Sequence, residues 1–140
     1  MKLSILAVGR LKERHWVEAC DEYYKRIRKR LPFEEIELRQ GADVLTRRPA
    51  RHELWVLDVK GKAWSSEELA AELERRMREG AQGVAIAIGG AEGLPEEVRA
   101  AADVKVSLSK LTLPHRLVRL ILAEQLYRAL SIIHREPYHK

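Results

Sequence analysis

Two stretches of this chain carry residues able to do chemistry. Gly89-Gly90-Ala91-Glu92-Gly93 stands directly after the apolar run Val84 to Ile88, and Pro137-Tyr138-His139-Lys140 follows a long apolar helix pattern. A glycine pair at the carboxyl end of a buried strand lies where open α/β sheets take their ligands, and its missing side chains let a ligand approach the backbone. The same pair is also an ordinary strand-to-helix connector, and pattern alone leaves both readings open. A phosphate cradle is excluded: the spacing is neither that of a dinucleotide fingerprint nor of a P-loop, no Lys-Ser/Thr follows, and Glu92 would repel a phosphate. In the tail, an aromatic ring, an imidazole and a cation suit base stacking and contacts to RNA, whereas composition alone favours a frayed terminus.

Other chemistries find little support. His134 and His139 are separated by a proline, and no Cys or third His has ligand spacing, so no metal is expected. No Gly-x-Ser-x-Gly elbow supports a hydrolase triad. The single cysteine, Cys20, cannot form an internal disulfide and reads as a small buried hydrophobe. The 26 Lys+Arg against 21 Asp+Glu give a net charge of +5, which favours a polyanionic partner such as nucleic acid without identifying one. No apolar run reaches the roughly 20 residues that span a bilayer, and the opening residues lack a signal-peptide core, so a cytoplasmic protein is expected.

The elements that must position these residues can be read from periodicity. At 140 residues one domain, 1–140, is expected. Lys2 to Val8 reads as a strand ending at Gly9. From Arg14 to Arg30 the positions Trp16, Cys20, Tyr23, Tyr24 and Ile27 recur at helical spacing until Pro32, and the other face ends in a cationic run, Lys25 to Arg30. Phe33 to Leu38 alternates apolar and acidic residues as a half-exposed strand, and Gln40 to His52 has no period and reads as a loop. Leu54 to Val59 is a strand covered on both faces that Lys60-Gly61-Lys62 should end. Ser65-Ser66-Glu67-Glu68 is a capping box opening a helix to about Glu79, closed by Gly80. Val84 to Ile88 is a buried strand, Pro95-Glu96-Glu97 opens a short helix, and Val104 to Leu108 is the last strand. Pro114 then starts a helix to about His134. Alternation of this kind predicts an α/β fold with a mostly parallel sheet of about five strands flanked by helices. The last helix is apolar around most of its circumference, from Leu117 to Ile133, more than one small core can cover, and a homodimer is expected to enclose it.

Four blocks, in order, carry a resemblance over nearly the whole chain: Leu57-Asp58-Val59-Lys60-Gly61-Lys62, Ile88-Gly89-Gly90-Ala91-Glu92-Gly93-Leu94, Ser107-Leu108-Ser109-Lys110-Leu111-Thr112-Leu113-Pro114-His115, and Pro137-Tyr138-His139. Together they resemble the RlmH family of SPOUT-superfamily RNA methyltransferases. Between about Gln40 and His52 this chain is shorter than those relatives. The resemblance implies a SPOUT-type fold with a C-terminal trefoil knot, an exception to the rule against knots, and a homodimer. It implies methyl transfer from S-adenosyl-L-methionine, without metal, to N3 of a pseudouridine in 23S ribosomal RNA of the large subunit or whole ribosome. Carried over by position, the cofactor site comprises Leu57, Gly90 with its neighbour Gly89, and Leu108, Ser109, Lys110, Leu111, Thr112 and Leu113. His139 is the implied acceptor of the N3 proton, Tyr138 orients the base, and Arg128 binds phosphate or the uracil carbonyls. Two other classes stand beside this: a ribosome-binding module of the same fold without activity, which needs no cofactor pocket, and a flavodoxin-like enzyme acting on a small nucleotide, which needs no RNA.

Overall fold

The computed structural model describes residues 1–140. Its elements follow in the order β1 (Lys2–Val8), α1 (Arg14–Arg28), β2 (Phe33–Leu38), α2 (Asp43–Arg47), β3 (His52–Lys62), α3 (Ser66–Arg78), β4 (Gly83–Ile88), α4 (Glu96–Ala100), β5 (Val104–Val106) and α5 (His115–Ile133). The five strands form one sheet in the order β2-β1-β4-β3-β5. Every pairing is parallel. The central strands β1 and β4 are buried nearly throughout, as a sheet covered on both faces requires.

The two faces are unequal. On one, α5 packs between α1 and α3 over a core that includes Leu3, Ile5, Trp55, Ile86 and Leu126. On the other, the short helices α2 and α4 cover a smaller cluster around Leu6, Leu54, Val56 and Ala87. Helix α3 starts on the expected capping box, with the Glu68 amide donating to Ser65 Oγ at 3.0 Å and the Ser65 amide to Glu68 Oε1 at 3.0 Å.

Several expectations need correction. The stretch from Gln40 to His52 is not only loop: it contains α2, whose one buried apolar residue, Val44, is too little for a period to show. Strand β3 does not stop at Val59 but continues to Lys62 through a bulge, so that Leu57 and Lys62 both face Val106 of β5. Gly61 permits this, because a Cβ there would lie 2.6 Å from the carbonyl carbon and oxygen of Lys105. Strand β5 ends at Val106 rather than Leu108, since the Ser107 amide donates to the Lys62 carbonyl at 2.8 Å and the chain then leaves the ladder. Pro114 is the N-cap of α5, so the helix begins at His115, one position later than expected.

The acidic residues of β2 do not simply face solvent. Glu35 and Glu37 reach Arg119 of α5, at 2.6 and 2.8 Å from its Nη2, and the Arg119 side chain is only 1% exposed. The Tyr24 hydroxyl donates to Glu35 at 2.5 Å, and the Leu11 amide donates to Glu37 at 2.9 Å. Helix α1, the first loop, β2 and α5 are thereby tied at one point. Beside it, burial pushes the Cys20 thiol up to about 11, so it stays protonated and inert, as a buried small hydrophobe should.

Arg119→Ala would leave two carboxylates facing each other without their counter-charge. A loss of about 3–5 kcal/mol is expected, the usual cost of breaking a buried pair from one side. Urea unfolding followed by circular dichroism measures it, and a loss under about 1 kcal/mol would show that water already screens the cluster.

Candidate active site

The carboxyl ends of β3 and β4 and the segment after β5 enclose a cavity of about 220 Å³, eight of whose fourteen lining residues are hydrophobic. Of the nine residues expected to hold a cofactor, Leu57, Gly89, Gly90, Leu108, Ser109, Leu111, Thr112 and Leu113 line it. Lys110 is exposed and does not. The segment is held by its own hydroxyls: Ser107 Oγ donates to the Ser109 carbonyl at 3.0 Å, and the Leu111 amide donates to Ser109 Oγ at 2.9 Å.

The glycine turn works differently from the ligand-approach reading. A Cβ on Gly89 would lie 2.8 Å from the carbonyl carbon of Gly93 and 3.0 Å from the Leu94 amide, so this glycine lets the turn fold onto itself. A Cβ on Gly90 would meet Val8 at 3.3 Å, which means it points at β1 and not into the cavity. The turn closes through the Gly93 amide donating to the Gly90 carbonyl at 3.0 Å, with Gly93 in the left-handed region at φ 75°. Both glycines therefore shape a wall, and the connector reading and the ligand reading describe one turn.

Asp58 and Val59 also line the cavity and were missed as site residues. The signal was present, since Asp58 is the one acid in the apolar run LWVLDV. Its carboxylate accepts from the Lys60 amide at 2.9 Å and from Arg99 of α4 at 2.8 Å, and these bonds hold it below the usual carboxylate range. Val59 and Leu111 are the large hydrophobic residues most exposed in the chain, at 61% and 72%, and both stand on this cavity's rim.

The second cluster lies further along α5 and includes the three residues expected to act on RNA. After Ile133 the chain reverses: the Arg135 amide donates to the Ile132 carbonyl at 3.0 Å and the Glu136 amide to the Ser131 carbonyl at 2.8 Å, with Arg135 at φ 56°. This is a Schellman turn with arginine where glycine is usual. It lays the tail back along α5. Tyr138 donates to Glu124 Oε2 at 2.6 Å and packs edge-on against Tyr127 with ring centroids 4.7 Å apart. Arg128 pairs with Glu124 at 2.8 Å, lies 4.9 Å over the Tyr138 ring, and its Nη1 is 2.9 Å from His139 Nδ1. His139 Nε2 stands 3.5 Å from Glu67 Oε1 of α3.

The electrostatics of this cluster are set by its acid. Burial pulls the Glu124 carboxyl upward, but hydrogen bonds from Arg128 and Tyr138 outweigh it and keep the group below its ordinary range. Burial, and then the bond to Glu124, push the Tyr138 phenol well above its ordinary value, so at neutral pH it is a donor. The tail is thus docked, not frayed. It is also remote from the cavity in its own chain: Val118 is on the cavity wall and Arg128 is ten residues later on the same helix, about 15 Å along its axis. No group of three His, Cys, Asp or Glu side chains is placed to hold a metal.

An all-parallel sheet with an apolar cleft at the carboxyl ends of its strands, closed by the segment that leads into the last helix, defines an α/β protein with its ligand site at one end of the sheet. The chain matches the family model described as "Predicted SPOUT methyltransferase" over residues 1–139. It is 46% identical to the ribosomal RNA large subunit methyltransferase H of Psychrobacter arcticus, over 100% of this chain and 99% of that one. It is 47% identical to the protein of the same name from Sorangium cellulosum, over 99% of both. Among solved structures, a probable rRNA-methyltransferase from Porphyromonas gingivalis shares the fold with a TM-score of 0.58 and 13% identity, covering 94% of this chain and 69% of that one. A putative methyltransferase from Legionella pneumophila, solved with bound S-adenosylmethionine, does so with a TM-score of 0.52 and 13% identity, covering 92% and 66%. This chain belongs to the SPOUT methyltransferase family, and within it to the RlmH group.

The crowded Gly89 and the uncrowded, left-handed Gly93 make separable predictions. Gly89→Ala must push the 90–93 turn off its own backbone, at about 1–3 kcal/mol, and deform the cavity wall. Gly93→Ala meets no atom within 4 Å and only strains the left-handed backbone, at about 1 kcal/mol. Calorimetric titration with S-adenosylmethionine should show the first losing at least about tenfold in affinity and the second much less. Equal losses would mean that crowding at Gly89 does not shape the cavity.

Proposed function

We propose that this chain transfers the methyl group of S-adenosylmethionine to N3 of a pseudouridine in 23S ribosomal RNA, in the cytoplasm, as a homodimer whose chain forms one knotted domain. The observation that carries the reading is the full-length match to methyltransferases named for large-subunit ribosomal RNA, at 46–47% identity. The cavity suits the cofactor by its chemistry. An adenine ring needs a flat apolar slot edged by backbone groups, which Leu57, Leu108, Leu113 and the glycine turn provide. When bound, S-adenosylmethionine supplies an electrophilic sulfonium methyl. Asp58 at the wall is held by the Lys60 amide and the Arg99 guanidinium, which offsets its charge and fixes that side of the cavity.

The remaining tasks fall to the tail cluster. N3 of a pseudouridine carries a proton that must leave as the methyl arrives, and a base within hydrogen-bond reach accelerates such a step by about 10²–10⁴. His139 meets Arg128 through Nδ1, so its lone pair there is engaged, while Nε2 has only a long approach to an exposed Glu67. In the neutral ring Nε2 then carries the hydrogen, so His139 takes the N3 proton through Nδ1 once the bound base displaces the Arg128 guanidinium from it. Tyr138, protonated at neutral pH and held by Glu124 and Tyr127, offers a ring face and a hydroxyl for orienting the base. Arg128 places its charge beside both.

A separation of about 15 Å along α5 is too long for one chain's tail to serve its own cavity, and a second copy removes the difficulty. The half-exposed apolar residues on α5, among them Leu117, Leu120 and Ile121, give that copy a surface to cover. The tail of one protomer then meets the cavity of the other.

Three measurements test the reading. Light scattering at micromolar concentration should report twice 16.1 kDa, and a stable monomer would contradict the shared site. Labelled methyl transfer to ribosomes and to free ribosomal RNA, with mapping of the product, should give a single N3-methylated pseudouridine in the large subunit. Transfer to another nucleotide would overturn the assignment. Deleting Tyr138 to Lys140 should lower methyl transfer by about 10² or more, while removal of the Glu124 bond and the ring packing costs only about 1–2 kcal/mol of stability. Full activity after this deletion would remove His139 and Tyr138 from the chemistry.

A further inference from the structure

The bulge that gives the cavity Asp58 and Val59 also builds a second feature that the cofactor does not need. Beyond Val59 the strand turns outward, and Lys60, Gly61 and Lys62 face Ala102, Asp103, Val104 and Lys105 across a groove of about 360 Å³. Its floor is backbone, because Gly61 lies directly on the Lys105 peptide with no room for a side chain. All three lysines are exposed, and none has an acid within ion-pair distance. The groove's one acid, Asp103, has an oxygen engaged by the Leu54 amide at 2.8 Å, and three cations stand against it. This contrasts with the helices, where Arg14, Arg26 and Arg78 each face a glutamate four residues away.

We infer that this lysine groove holds the phosphate backbone of the RNA strand whose target base is brought to the cofactor at the mouth of the neighbouring cavity, an inference that rests on the RNA methyltransferase reading above. Unpaired ammonium groups on a shallow, backbone-floored groove fit phosphate oxygens and read no sequence, which is how backbone contacts position a nucleic acid. The placement supplies the purpose. Consecutive bulge residues divide between the two features, Asp58 and Val59 lining the cavity and Lys60 and Gly61 the groove, so a phosphate held by Lys60 and Lys62 fixes the strand next to Val59 on the cavity rim. RNA binding and cofactor binding then share one structural unit while using separate side chains.

The test replaces Lys60, Lys62 and Lys105 together with Gln, and compares a control in which Arg47, Arg48 and Arg51, just before the amino end of β3 and equally without acid partners, are replaced by Gln. Methyl transfer to ribosomes is measured against ribosome concentration and potassium chloride, cofactor affinity by calorimetry, and ribosome binding directly by co-sedimentation. The groove variant should raise KM for ribosomes about tenfold and flatten the slope of log kcat/KM against log salt by about 2 to 3, one increment for each phosphate no longer neutralised. Its kcat and its affinity for S-adenosylmethionine should stay at the parental values. A groove variant with the parental KM and salt slope, or a control that loses as much, would overturn the inference, since the groove would then act only through net charge. If the parent methylates no ribosomal RNA, the functional reading fails by itself. Co-sedimentation still decides the groove in that case, through the same difference in salt dependence.

Discussion

Everything at the site depends on where α5 lies, and one buried ion cluster fixes that. The Arg119 side chain is almost wholly enclosed, with Glu35 and Glu37 on its guanidinium and the Gly9 carbonyl 3.4 Å from Nη1. Such a cluster contributes little net stability, because removing charges from water costs about what their attraction returns. Its value is positional. An apolar helix against an apolar sheet can slide by a turn at little cost, whereas a guanidinium between two carboxylates of β2 has one seat. Four residues before Arg119, His115 packs beside the glycine turn, and burial, then the Arg119 charge, depress its imidazole pKa. A neutral His115 therefore accompanies a charged Arg119 where α5 meets the cavity wall.

The same helix borders the cavity and carries the tail cluster, the two parts to which the chemistry is assigned. Leu113 just before it and Val118 in its first turn close the cavity, and its later turns present Glu124 and Arg128, onto which the tail folds back. Fixing the register of α5 thus sets the cavity and the tail cluster together. The bulge in β3 plays the corresponding part at the other wall: it turns Asp58 and Val59 to the cavity and the lysines to the outer edge, with Arg99 of α4 bracing it.

How much of this was legible in the sequence depended on whether one residue's role follows from its neighbours in the chain. The capping box at Ser65, the buried strands and the glycine turn were readable because their signals are local. The lining residues Leu57 and Leu108 to Leu113 came from a family resemblance, and the structure gathers all but Lys110 around one cavity. What periodicity missed was long-range. Glu35 and Glu37 look like the wet face of a strand until Arg119, more than eighty residues away, is placed over them. The role of Gly61 depends on the backbone of Lys105, and α2 has a single buried side chain. The tail's docking turns on Arg135 in a left-handed conformation, which composition does not announce.

The central claim is that cavity and tail cooperate across two copies, and complementation tests it most directly. A Gly89→Ala chain, assayed at a cofactor concentration where its weakened affinity leaves about a tenth of the parental rate or less, and a chain lacking Tyr138 to Lys140, down by about 10², are mixed in equal amounts under conditions of subunit exchange. Half of the dimers are then mixed, each with one intact pairing of cavity and tail, so methyl transfer to ribosomes should return to about a quarter of the parental rate. A mixture no faster than the two variants alone, although mass spectrometry shows the mixed dimer, would contradict the shared site and place the tail's action within its own chain.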